Sequence, residues 1–178
     1  MIIQTRGLTF DQLNLGDTFT SQGRTVTEAD VVAFAGLSGD FNPLHMDETF
    51  AQTTPFGARI AHGMLSAAMA TGMANWTGVF EGTTLALMEQ VIQYKGAVKF
   101  GDTIHLELKV AKKKETSKPD RGVVVFETRV CNQDGKAVIE GKWTLMMRRE
   151  NPKSNDQIPI LQSSNPLILP GANNATSK

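Results

Sequence analysis

Residues 62–79 read HGMLSAAMATGMANWTGV. Gly, Ala, Ser and Thr crowd this stretch, and Met and Leu recur on nearly every face of a helix drawn through it. A helix that is apolar all round is a buried one. Its small residues let neighbouring backbone come close. The segment is therefore expected to be the central helix on which the rest of the chain packs.

Downstream the period changes from helix to strand. TLALMEQVIQYKGAVKF (84–100) is a long, broken β-like run. DTIHLELKVAKKK (102–114) alternates, with Ile104, Leu106, Leu108 and Val110 on one face and Thr103, His105, Glu107 and Lys109 on the other. RGVVVFETRV (121–130) follows the loop KETSKPD. AVIEGKWTLMMR (137–148) follows a Gln133-Asp134-Gly135-Lys136 turn, and Asp-Gly is a strong hairpin signal. In that last run Ala137, Ile139, Trp143, Leu145 and Met147 share the apolar face. Upstream, DTFTSQGRTVT (17–27) is β-prone around Ser-Gln-Gly and reads as a short hairpin. TEADVVAFAGLSG (27–39) begins with a capping-box pattern, Thr27 and Asp30. Val31, Val32, Phe34, Ala35 and Leu37 then give its helix an apolar face, and Gly36 and Gly39 mark its end. Helices first and a strand meander afterwards make an α+β pattern, with helix segregated to one side of an antiparallel sheet.

The chain has 178 residues, 40% of them apolar, and a formal net charge of zero. That balance argues against nonspecific nucleic-acid binding, which needs a basic surface. The single cysteine, Cys131, excludes an internal disulfide, and no Cys/His metal spacing is present. The first residues, MIIQTRGLTFDQL, lack a secretory pattern, and residues 62–76 are too short and interrupted to span a bilayer. The expectation is a cytoplasmic protein without membrane partners. Residues 1–149 read as one domain. Residues 150–178, rich in Pro, Asn and Ser, read as a tail or an extended arm lying on the domain or on a partner.

The chemistry concentrates in GLSGDFNPLHMDETFA, residues 36–51. Asp40 and His45 can converge only if the chain bends between them, and Asn42-Pro43 supplies the bend. Asn is a favoured N-cap and Pro a favoured first helical residue, so NPLHMDETFAQ reads as a new helix with His45 in its first turn. The positive end of that helix disfavours a protonated imidazole. A carboxylate and a neutral imidazole sharing one water form a general acid/base arrangement. The same residues also fit a plain turn, with Asp40 in the bend and Asn42 as a cap. A second feature is His62-Gly63 at the start of the buried helix, where unpaired N–H groups and a positive partial charge collect. If the Asp40 loop faces that terminus, the Gly63 N–H becomes an oxyanion donor. Otherwise Gly63 permits tight packing and His62 caps the helix.

Together these residues resemble the MaoC-like hydratase/dehydratase family, in its (R)-specific enoyl-CoA hydratase branch. The motif is carried by Leu37, Ser38, Gly39, Asp40, Asn42, Pro43, Leu44, His45 and Ala51. TVTEADVVAFAGLSGD, ARIAHGMLSAAMATG and VKFGDTIHLELKV extend the similarity, which runs from about residue 11 to 149. The resemblance implies a hot-dog fold, a long central helix wrapped by a curved antiparallel sheet, with an added segment carrying the motif. It implies a homodimer and reversible hydration of trans-2-enoyl-CoA to (R)-3-hydroxyacyl-CoA. No metal or organic cofactor is expected, coenzyme A being part of the substrate. Asp40 and His45 match the catalytic pair and Gly63 the backbone oxyanion donor. Ser38, Gly39, Asn42 and Pro43 support the motif. Phe41 is a candidate wall of the acyl pocket or a packing residue, and His62 a candidate substrate contact. Arg59, Lys95 and Lys99 are candidates for the coenzyme A phosphates, whereas Lys112, Lys113 and Lys114 read as a solvated strand end. A thioesterase, an acyl-carrier-protein dehydratase and a non-catalytic acyl-thioester binder are the other readings of the same residues.

Overall fold

The computed structural model describes residues 6–150; the arm expected over 150–178 lies outside the described residues, save Glu150. Ten elements follow in order: β1 (Thr18–Thr20), β2 (Arg24–Thr25), α1 (Glu28–Ser38), α2 (Pro43–Met46), α3 (Glu48–Gln52), α4 (Gly63–Trp76), β3 (Thr84–Tyr94), β4 (Thr103–Glu115), β5 (Arg121–Cys131) and β6 (Ala137–Arg148). The strands form one antiparallel sheet in the order β1-β4-β5-β6-β3, with β2 also on β4. The long helix α4 lies against its inner face, which is the hot-dog arrangement. No helix among the described residues is long and apolar enough to cross a membrane.

The period-two pattern dictates the packing. Ile104, Leu106, Leu108 and Val110 of β4 are each at most 1% exposed, and they join Val124, Phe126, Trp143, Leu145 and Met147 in one core. Phe80 meets Phe126 edge-on, with ring centroids 5.3 Å apart. Each such side chain contributes about 1.5–3 kcal/mol on burial. The helix α4 supplies Leu65, Met69, Ala70, Met73 and Ala74 to this core. It is not buried all round, however: Met64 and Trp76 are 57% and 52% exposed, with Ala68, Thr71, Gly72 and Asn75 on the same stripe.

Four local expectations are corrected. The segment 17–27 is no hairpin, because β1 and β2 both pair with β4. Ser-Gln-Gly interrupts one edge strand instead of reversing it. The Ser21 N–H donates to the Leu106 carbonyl, and the Ser21 hydroxyl oxygen accepts from the Leu106 N–H, so the interruption stays fastened to β4. Gly36 lies inside α1, whose C-cap is Gly39 alone, at φ 78°. That left-handed conformation is one glycine adopts without strain. In α1 only Val31 and Ala35 are fully buried, while Val32 and Leu37 are 47% and 84% exposed. The capping box of Thr27 and Asp30 is present in both directions. Lys112, Lys113 and Lys114 are the end of β4 and pair with β5. Lys112 and Lys114 are exposed as expected, but Lys113 is half-buried: its ammonium bonds the Leu13 carbonyl and sits 4.4 Å from the Phe10 ring centroid.

Candidate active site

The loop leaving α1 carries the motif. The Ser38 hydroxyl donates to the Phe34 carbonyl at 2.7 Å and accepts the Asp40 N–H at 3.2 Å. Gly39 turns the chain, and the Asp40 carboxylate accepts the Asn42 N–H at 3.2 Å. The Asn42 side chain then caps α2 through the Leu44 N–H at 3.0 Å, with Pro43 at the first helical position. The expected single helix over residues 43–52 is two short ones. Asp47 breaks them by taking an extended conformation and capping α3 through the Phe50 N–H.

This geometry sets the state of His45. Its Nδ1 lies 2.8 Å from the Ile60 carbonyl oxygen. A carbonyl only accepts, so Nδ1 carries a hydrogen, and the tautomer that fits this bond presents Nε2 as the acceptor. The Ile60 carbonyl thus fixes which ring nitrogen carries the hydrogen, a role that a helix of one turn does not supply. His62 repeats the logic. Its Nε2 donates to the Asp40 carbonyl at 2.9 Å, and its ring stacks on that of His45 with centroids 3.8 Å apart.

Asp40, His45 and His62 present oxygen or nitrogen atoms within 4.8 Å of one another. One water spans such a separation with two hydrogen bonds. The three side chains have the chemistry of a metal triad. A second group, His105, Glu107 and Cys131, lies on the outer side of β4 and β5. There Arg129 takes the Glu107 carboxylate at 2.9 Å, and burial, then the Glu107 charge, pushes the Cys131 thiol up.

The triad opens onto a cavity of about 630 Å³. Asp40, His45, His62 and Gly63 line one end; Phe34, Phe56, Met64, Tyr94, Val98 and Ile139 give the rest an apolar wall. Gly63 is the first residue of α4, and its N–H has no acceptor among the described residues. The site thus offers two proton acceptors at one end of an apolar cleft and an unused backbone donor beside them.

The other sequence candidates divide. Lys95 lines the cavity, with its ammonium 3.8 Å from the Glu140 carboxylate. Arg59 does not line it: the guanidinium bonds Glu28 at 2.6 Å and Glu48 at 3.2 Å and lies over Phe100, tying α1 to α3. Lys99 is exposed, bridges to Ile60 through its backbone and is also off the cavity. Phe41 neither walls the cavity nor packs, being 60% exposed. Tyr94, Met64, Ser66 and Ile139 were not foreseen in the site. Met64 and Ser66 follow Gly63 in α4 and read there as ordinary helix residues, while Tyr94 and Ile139 are paired strand residues of β3 and β6 that reach the site only through the fold.

The MaoC like domain family matches residues 12–130. A Rhodospirillum rubrum protein named (R)-specific enoyl-CoA hydratase is 37% identical over 138 residues, which cover 78% of this chain and 90% of that one. The unliganded structure of an R-hydratase from Pseudomonas aeruginosa is 34% identical with a TM-score of 0.68, covering 81% of this chain and 88% of the other. A Mycobacterium tuberculosis protein described as a double hot-dog superposes with a TM-score of 0.69 at 18% identity, covering 96% of this chain and 54% of that one, a likeness of fold alone.

Proposed function

The chain belongs to the MaoC-like domain family, and we propose that it is a hydro-lyase adding water reversibly to trans-2-enoyl-CoA to give (R)-3-hydroxyacyl-CoA. The observation that carries this reading is the Asp40 carboxylate and the His45 imidazole within 4.8 Å of each other on the lining of the apolar cavity. A water between them directs one hydrogen to each acceptor and turns an oxygen lone pair toward C3. As the C3–O bond forms, Asp40 takes one proton while His45 holds the other hydrogen. The π electrons move toward the thioester oxygen, where the Gly63 N–H and the start of α4 receive the charge. Donors of that kind are worth about 10² to 10³ in rate. The proton is then relayed to C2, and a C2–H bond completes the addition. Nothing in this sequence of steps draws on a metal or an organic cofactor. Lys95, which lines the cavity, is the residue we assign to a coenzyme A phosphate.

The homodimer belongs to the same proposal. Leu87, Met88, Val91 and Tyr94 of the edge strand β3 are 43–53% exposed, beside the open stripe of α4. An exposed apolar edge is a template for pairing with another chain.

Incubation of the protein with crotonyl-CoA and with crotonyl-acyl carrier protein tests the reading, following enoyl absorbance, free thiol and product chirality. Loss of enoyl absorbance on coenzyme A without thiol release, yielding the (R)-alcohol, is expected. Thiol release would assign a thioesterase, turnover only on the carrier protein a different dehydratase, and tight binding without turnover a non-catalytic acyl binder.

A further inference from the structure

His62 is spent in an unusual way. It stands at the N-cap of α4 yet makes no capping bond with its side chain. It is 2% exposed, and its Nδ1 is buried with no hydrogen-bond partner among the described residues. A buried polar atom left unpaired costs stability, which an apolar residue of similar size would avoid. What the imidazole does make is two contacts with the acid/base pair. Its Nε2–H holds the Asp40 carbonyl at 2.9 Å, and its face packs on His45 at 3.8 Å between centroids. Phe34 closes against it at 5.1 Å, which fixes the ring plane. The next residue in the chain is Gly63, with the unused N–H.

We propose that His62 is a positioning residue that sets Asp40 and His45 in register with the N-terminus of α4. One side chain would then fix the separation between the two proton-handling groups and the backbone donor. Asp40 lies on an exposed loop and His45 on a single helical turn, so neither holds its place by burial. A displacement of about 1 Å at reacting groups costs about 10²-fold in rate. The inference rests on the hydration chemistry proposed above, because it gives His62 no contact with substrate. It replaces the substrate-binding role expected from the sequence.

Two variants separate the contacts. His62→Phe keeps a ring against His45 but removes the Nε2–H. His62→Gln keeps a donor toward the Asp40 carbonyl. With melting temperatures near wild type, kcat of His62→Phe is expected to fall about 10²-fold with KM within about threefold, and His62→Gln to recover to within about tenfold of wild type. An unchanged kcat in His62→Phe, or a loss confined to KM, would overturn the proposal. A measurement on the unmodified chain decides independently of how the variants fold: long-range proton–nitrogen NMR should find His62 protonated on Nε2 with Nδ1 bare, and His45 protonated on Nδ1. The reverse form of His62 would overturn the proposal. Failure of the wild-type chain to hydrate crotonyl-CoA would instead remove the hydratase reading, and the ring forms would still report whether His62 pins the loop.

Discussion

Tyr94 lies where any side chain on residue 63 would have to go. A Cβ on Gly63 would come within 2.7 Å of the Tyr94 ring, a contact that forces something to shift. The glycine therefore serves two ends, closeness to the aromatic wall and an open N–H. Gly63→Ala is expected to lower kcat by about 10 to 10²-fold by displacing the start of α4, and adding Tyr94→Ala to the same chain should restore most of it. Steady-state kinetics of the single and double variants check this. At this scale the sequence was informative for the bend between Asp40 and His45, with Asn42 as cap and Pro43 at the first helical position, because these depend on neighbours a few residues away. It was uninformative for the carbonyl that sets the His45 ring, since Ile60 is fifteen residues downstream. Arg59 was misread for the same reason: nothing local announces that Glu28 and Glu48 would enclose it.

Among the elements, α1 depends on its first turn. Thr27→Ala removes one half of the capping box and is expected to cost about 1 kcal/mol, within a usual range of about 0.5–2, in urea unfolding. Burial by itself would raise the Asp30 carboxyl, but hydrogen bonds from Thr27 and the Arg24 guanidinium leave it lowered. A carboxyl lowered by folding stabilises the chain fully above its unfolded value of about 3.9, and that contribution is lost as pH falls from there through the folded value. Melts of Asp30→Asn should accordingly be less stable than wild type near neutrality and depend less steeply on pH below about 4. In the sheet, Leu106 is fully buried, so Leu106→Ala is expected to cost about 2–5 kcal/mol. The strand periods of β4, β5 and β6 were legible because one face is dry and the other wet. The break in β1 and β2 was not: Ser-Gln-Gly suits a reversal equally well, and the partner that keeps the chain straight, β4, begins some eighty residues later.

For the whole molecule the open question of surface is the face shared by β3 and α4. The stripe of α4 that the sequence suggested was interior is exposed in the single chain, which is what a helix apolar all round would show if a second copy covers it. Light scattering should give a mass twice the 19.4 kDa of one chain. Val91→Lys places a charge on the edge strand and is expected to shift the protein to monomer. A wild-type monomer at micromolar concentration would remove the dimer from the account. The α+β layering was legible in the order of periods, one small-residue helix and then long alternating strands, whereas the hot-dog fold itself was an implication of the family resemblance. The depth of the cavity was not legible, since it arises between residues of α1, α4, β3 and β6 that share no sequence pattern.

The most direct test of the central claim is a double-mutant cycle on crotonyl-CoA hydration. If Asp40 and His45 act on one water, Asp40→Asn and His45→Ala should each lower kcat by about 10² to 10⁴-fold, with melting near wild type, and the double variant should be no slower than the slower single one. Either single variant turning over at the wild-type rate, or losses that multiply in the double variant, would contradict a shared water.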